Sequence, residues 1–377
     1  MAKTGDKGYV LEELLRAYFL RAGMYAVRGV PLQLNGDDLT DVDIWIYEQS
    51  NGSSRRRQIV DAKSKLKPKA IERVLWTKGL LELLQVDGAH VATTDCRPVI
   101  KDIATRLGVT VLDGADIKRM SESEKIIFPE RLSEEDLDKL IKSIDKGRRN
   151  REFQIGYQDL KAGLIDEFGP GTVNRSLDHF VAFARSLVSS HPSSPAAETA
   201  LRLTYIAASI VALTLDFCLA KVFFKSAEDR RKTISNIIRY GDEEEAPGLE
   251  KVRVAAALIE RYAPNGRAVS QSMLNSIRAD LQNIPAEIIT DHVLTQMKGV
   301  PLFQVARSLE SEGFRTKPRG FDQLKLEEKS FLGILLDFAG LDRSAFADSW
   351  SGGSAQPYEA SKITESNPTG SLFENLY

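Results

Sequence analysis

The periodicity of the chain changes once, near residue 115, and that change constrains the fold more than any single motif. Before it, short apolar runs alternate with stretches whose apolar residues recur at helical spacing. Residues 9–22 place Val10, Leu14, Ala17, Tyr18 and Phe19 on a helix, and Gly23 closes it. Residues 24–34 read as strand and turn. Residues 42–48 and 58–63 read as strands, the first rich in β-branched and aromatic residues, with Asn51-Gly52-Ser53-Ser54 as a turn of hairpin-tip composition between them. A helix over 69–84, a strand over 89–94, a helix over 99–107 and a strand over 109–112 follow. Strands alternating with helices at this spacing predict βαβ crossovers over a mixed sheet flanked by helices.

Past residue 115 few strand signals remain, and helices are expected to about residue 347. Ser121-x-x-Glu124 and Ser133-x-x-Asp136 have the spacing of helix caps. Residues 189–197 and the acidic 241–248 read as loops between helices. From Ser349 the chain is rich in Gly, Ser and Pro, and a mobile tail is expected. Its end, Glu374-Asn375-Leu376-Tyr377, resembles the start of a protease-cleavage tag. The expected organisation is therefore an α/β domain over 1–114, a mainly α-helical regulatory or assembly domain over 115–348, and a flexible tail over 349–377.

Composition narrows the chemistry. With 42% hydrophobic and 28% charged residues, 377 residues supply cores for two or three domains. A net charge of -2 carries no whole-chain signature of a nucleic-acid binder, so any basic surface must be local. Cys96 and Cys218 make no disulfide framework, and four scattered histidines suggest no zinc site. The start of the chain leads directly into an amphipathic pattern without a secretory signal, so a reducing cytoplasm is the expected setting. The apolar run over 203–219 is interrupted by Asp216 and flanked by Arg202 and Lys221; a span needs roughly 20 apolar residues, so a buried core helix and no membrane are expected.

Three residues carry the chemistry. Asp43 falls inside one expected strand, and Asp61-Ala62-Lys63 ends the next. Side chains alternate on a strand, so Asp61 and Lys63 share a face, and pairing of the two strands lets Asp43 meet them there. Two carboxylates and a backbone carbonyl, with Ala62 the candidate, are the hard oxygen donors that Mg²⁺ (or Mn²⁺) prefers. Phosphodiester hydrolysis uses such a site to generate a nucleophile from water and to offset charge on the phosphate. Lys63 would orient the water or stabilise the same charge, and Glu12 or its neighbour Glu13 would add a carboxylate from the first helix.

This arrangement resembles the PD-(D/E)xK nuclease superfamily, and within it the Mrr-like restriction endonucleases. The resemblance covers residues 7–114: Gly8-Tyr9-Val10-Leu11-Glu12 opening a helix that ends at Gly23, the Asp43 strand, the Asp61-Ala62-Lys63 strand, Val91-Ala92-Thr93-Thr94, and a helix leading to Leu107-Gly108-Val109-Thr110-Val111-Leu112-Asp113-Gly114. It departs from the Mrr-like pattern where Leu39-Thr40-Asp41-Val42 precedes Asp43 and where the xK motif carries aspartate. The resemblance implies a restriction-endonuclease-like α/β fold, metal binding by Asp43 and Asp61, and a catalytic Lys63. It also implies Glu12 rather than Glu13 as the helix carboxylate, because the distance from Glu12 to the closing glycine fits. The implied activity is a Mg²⁺-dependent DNA endonuclease in restriction or another anti-phage defence role. The alternatives are a non-catalytic nucleic-acid-binding or scaffold module on the same fold, and an RNA or branched-DNA substrate.

Basic residues gather near these motifs. Arg55, Arg56 and Arg57 lie between the two strands, and Lys65, Lys67 and Lys69 follow Lys63. Residues 1–114 carry 17 Lys+Arg against 15 Asp+Glu, and the remainder 34 against 38. The arginines, Lys65 and Lys67 are expected to contact DNA phosphates. Trp76 and His90 read as core residues, and His179 as a structural histidine. No P-loop, metal-ligand pair or nucleophile motif lies between 115 and 347. The apolar faces over 252–259 and 331–338 read as packing surfaces, and this region is where a protein partner or self-association is expected.

Overall fold

The computed structural model describes residues 4–34, 37–63, 69–123, 125–146, 151–166, 168–296 and 301–350. These divide into two separately packed units, one formed by residues up to 166 with 314–317, the other by 168–313 with 318–350.

The first unit opens with helix α1 (Thr4–Arg21). It stops where Gly23 turns to φ +91°. The Gly23 and Met24 amides then donate to the Leu20 and Phe19 carbonyls at 3.1 and 3.0 Å, a paired cap that only a residue tolerant of positive φ allows. Strands β1 (Tyr25–Leu34), β2 (Asp37–Gln49) and β3 (Arg55–Lys63) follow as an antiparallel meander. The β2–β3 hairpin closes through the Asn51 carboxamide oxygen, which accepts the amides of Ser53 and Ser54 at 3.0 and 2.9 Å. Helices α2 (Ala70–Leu84) and α3 (Pro98–Arg106) are the crossovers to β4 (Gly88–Thr93) and β5 (Thr110–Leu112), both parallel to β3. The sheet is thus mixed, five-stranded and ordered β1-β2-β3-β4-β5, as the alternating pattern predicts.

Side-chain alternation splits the sheet into two faces. Ile44, Ile46, Val60, Ala62 and Ala92 form one core with Leu11, Leu15 and Phe19 of α1. The intervening positions, Trp45, Tyr47, Ile59 and Val91, are buried on the other face, where α2 packs on β3 and β4. Two expectations shift here. Strand β3 begins at Arg55 rather than at residue 58, so Arg55, Arg56 and Arg57 are strand residues and not a loop: backbone pairing with β2 runs to Gln49↔Arg55 without needing an apolar side-chain pattern. The first unit also extends well past residue 114. Helix α4 (Gly114–Ser121) contributes Ile117 and Met120 to the core, and α5 (Glu134–Asp145) and α6 (Glu152–Asp166) belong to the same unit. Ser121 ends α4 instead of starting a helix, and Glu124 lies outside the described residues. Ser133 does cap α5, accepting the Asp136 amide at 3.1 Å.

The second unit is helical: α7 (Pro170–Val188), α8 (Pro195–Lys221), α9 (Ala227–Tyr240), α10 (Glu245–Gly248), α11 (Glu250–Tyr262), α12 (Gly266–Gln282), α13 (Ala286–Gln296), α14 (Leu302–Gly313), α15 (Leu326–Phe338) and α16 (Arg343–Asp348). Helix α8 is its centre. Its most apolar window is 94% buried inside the protein, which matches the core-helix reading of that run. Helices α7 and α14 pack on it. At Gly313 a Cβ would fall 2.6 Å from Ile206 Cγ1, so α14 approaches α8 as closely as a bare backbone permits. Phe331, Leu332, Leu335 and Leu336 are buried as expected. The 252–259 face is not: Val254 and Leu258 are exposed, and Ala256 alone on α11 is buried. Ser349 and Trp350, expected in the mobile tail, are buried as well; residues 351–377, with the tag-like end, lie outside the described residues. Both cysteines are free thiols.

Candidate active site

Strands β2 and β3 pair down to Ile44↔Val60 and then part, although both run on. Just beyond the last pair, Asp43 Oδ2 accepts the backbone N–H of Ala62 at 2.7 Å. A side chain thereby takes the bond that a neighbouring strand would otherwise make. On an extended strand a residue's N–H and C=O point to the same edge, so the Ala62 carbonyl shares this gap. Register sets Asp43, Asp61 and Lys63 on one face, and Lys63 Nζ stands 3.6 Å from Asp43 Oδ2.

Asp61 is buried, and a residue of α2 holds it. Arg73 Nε donates to Asp61 Oδ2 at 2.7 Å, and Arg73 Nη2 bonds Asp61 Oδ1. Arg73 reaches back because α2 starts at Ala70, so its first turn stands over the carboxyl end of β3. From α1, Glu12 accepts from Arg28 Nε at 3.1 Å. Glu13 also accepts from Arg28, at 2.8 Å, and the charge of Glu12 couples to Asp43 and Lys63.

The electrostatics follow from burial. Burial pushes the Glu12 carboxyl up to about 7, the Arg28 cation opposing it and the Asp43 charge adding to it. Burial likewise raises Asp43 above the usual carboxylate range, against the pull of the Ala62 N–H, Lys63 and Arg73. Behind Glu12 lies a second layer of charge. Arg28 also bonds Glu135. Glu134 accepts from Tyr157 Oη (2.7 Å), Lys161 Nζ (3.0 Å) and Arg16 Nη1 (3.3 Å). Lys161 further donates to the Arg28 carbonyl at 3.2 Å. This network ties α1 to β1, α5 and α6, and so fixes where Glu12 stands.

Among the described residues, the donors at the gap are oxygens: the Asp43 and Asp61 carboxylates and the Ala62 carbonyl, with Glu12 behind. That set fits Mg²⁺, which binds through one or two carboxylates and keeps several waters. Among the described residues, no three His, Cys, Asp or Glu side chains gather closely enough to hold an ion by themselves. Asp61 is turned onto Arg73 and Glu12 onto Arg28.

The arginine triplet is not part of this constellation. Arg55 is six residues from Asp61 along β3, about 20 Å at the rise of an extended strand. Arg57 is engaged with the Gln85 carbonyl at 2.8 Å, and Arg55 with that of Ser54 at 3.0 Å. Lys65 and Lys67 lie outside the described residues. Trp76, read as a core residue, is 49% exposed on α2. His90 is half-buried, beside Phe19 and 2.7 Å from Gln58 Oε1, and burial drives its pKa down to about 4. Arg73 and Arg28 were not foreseen. The only sequence signal for Arg73 is a cation one turn into the helix that follows the Asp-x-Lys strand. No family model, curated protein or solved structure matches this chain.

Proposed function

We propose that the sheet-bearing unit is a Mg²⁺- or Mn²⁺-dependent DNA endonuclease of the PD-(D/E)xK kind. We assign it to restriction or antiviral defence in the cytoplasm, with the helical unit serving regulation or assembly. One observation carries the reading: Asp43, Asp61 and Lys63 meet on one face where β2 and β3 part, with Asp43 bonded to the Ala62 amide and Glu12 coupled to the same charges.

Asp43, Asp61 and the Ala62 carbonyl would hold the ion. When bound, Mg²⁺ supplies a nucleophile from water at neutral pH and offsets the charge gathering on the phosphate. The Ala62 N–H fixes the Asp43 carboxylate at the edge of the gap, so binding an ion would need no search for a rotamer there. Lys63, 37% exposed, reaches the same gap with an ammonium that can donate to a phosphate oxygen. Glu12, at about 7, is matched to accepting a proton at neutral pH. Arg55, Arg56 and Arg57 would touch backbone phosphates some distance along the duplex from the scissile bond. Incubating the protein with plasmid DNA, with and without Mg²⁺, tests the reading: metal-dependent nicking by the wild type and none by Asp43→Asn supports it, and equal nicking by both rejects it.

A second reading, a nuclease-like fold kept for binding or scaffolding, draws on the pairing of Asp61 with Arg73. It predicts nucleic-acid binding without turnover under any metal.

A further inference from the structure

We infer that Arg73 is a positioning residue that withholds Asp61 from the metal until a substrate phosphate draws its guanidinium away. The inference rests on the metal-site reading above.

The geometry is that of an occupied carboxylate. Arg73 engages both oxygens of Asp61, Nε on Oδ2 at 2.7 Å and Nη2 on Oδ1. A two-pronged, charge-assisted contact of this kind uses the carboxylate positions that a cation would take. The charge of Arg73 is felt at Asp43 too, so the guanidinium already supplies positive charge to both carboxylates. An entering ion would meet a like charge within a few ångströms and find one of its two carboxylates already engaged.

The two partners differ in freedom. The Asp61 side chain is 7% exposed and fixed on a central strand; that of Arg73 is 28% exposed and hangs from the first turn of α2. Arg73 can therefore leave towards solvent while Asp61 cannot follow. What it would leave for is a phosphodiester, because the planar fork that matches a carboxylate matches phosphate oxygens equally well. Asp61 and the substrate phosphate then compete for one guanidinium. Binding of DNA releases Asp61, and by reciprocity a bound ion favours DNA binding by the same factor. Lys63, which stands against Asp43, takes no part in the exchange.

The test is Mn²⁺ binding to the full chain, followed calorimetrically without DNA. The samples are the wild type, Arg73→Ala, Arg73→Gln and the double variant Arg73→Ala/Asp61→Asn. Glutamine keeps most of the bulk and a donor should alanine loosen α2. Removing the cation should tighten Mn²⁺ at least about tenfold, a modest share of what two charges a few ångströms apart are worth near a protein surface. The gain should vanish in the double variant. In a Lys63→Ala background, a mixed-sequence DNA duplex should tighten Mn²⁺ binding when Arg73 is present and leave it unchanged when Arg73 is alanine. A mere tether between α2 and β3 would produce none of these effects. Equal Mn²⁺ affinities in wild type and both single variants would overturn the inference and leave the metal site standing, as would a duplex effect indifferent to Arg73. No Mn²⁺ binding by any variant, with or without duplex, would overturn the metal-site reading and the inference with it.

Discussion

Glu134→Gln is the perturbation whose size the structure sets most directly. Burial opposes the charge on Glu134, yet Lys161, Arg16 and the Tyr157 hydroxyl hold its carboxyl at about 2, against an ordinary 4.5. At about 1.4 kcal/mol per pKa unit, the folded state gains on the order of 3 kcal/mol from that carboxylate at neutral pH. The direction follows from the lowered value. The contribution is complete above pH 4.5 and drains away as pH falls towards 2. Glutamine removes the charge, takes from buried Lys161 the carboxylate it is paired with and leaves Arg16 only the more distant Glu13 at 3.6 Å; breaking a buried pair in this way typically costs about 3–5 kcal/mol. Urea unfolding followed by tryptophan fluorescence, with Trp350 of the helical unit replaced by phenylalanine in both proteins, reads the sheet-bearing unit through Trp45 and Trp76. Wild type should exceed the variant by about 3 kcal/mol or more at pH 7, and the gap should close between pH 4.5 and 2. A gap below 1 kcal/mol at pH 7, or one that stays constant down to pH 2.5, would refute the argument that this network fixes α1 and with it Glu12.

Two further outcomes are expected. Lys63→Ala should keep Mn²⁺ binding, since the oxygen donors remain, and lose turnover by about 10²-fold or more; a titration and a nicking assay on one sample check it, and wild-type cleavage would remove Lys63 from the chemistry. Replacing Arg55, Arg56 and Arg57 together by alanine should lower the salt slope of DNA binding by roughly 0.9 for each phosphate that an arginine had neutralised, while leaving the cleavage rate of bound DNA unchanged, because the triplet sits about 13–20 Å along β3 from Asp61; an unchanged slope means that these side chains touch no phosphate.

What the sequence displays is what repeats along it. The two-residue period put Asp61 and Lys63 on one face, and the alternation of strand and helix marked the mixed sheet before any coordinate. Contacts that depend on how elements return in space left no such mark. Arg73 meets Asp61 only because the α2 crossover swings its first turn over the end of β3. The first unit ran past residue 114 because α5 and α6 hold to it through Glu134 and Lys161, residue types that in a linear reading belong to the surface. The triplet of Arg55, Arg56 and Arg57 shows the opposite case, nearness in sequence without nearness in space. Four to six positions from Asp61 is close in sequence and about 13–20 Å away along an extended strand.

The central claim is that Asp43, Asp61 and their neighbours form a metal-dependent phosphodiester site, and plasmid cleavage with and without Mg²⁺ tests it most directly. Supercoiled DNA incubated with the wild-type chain should be nicked or linearised with Mg²⁺ or Mn²⁺ and left intact with chelator. Asp43→Asn and Asp61→Asn, each shown to be folded by circular dichroism, should be silent under the same conditions. Cleavage that persists in either variant, or a wild type that leaves DNA, RNA and branched substrates untouched with either metal, would contradict the account.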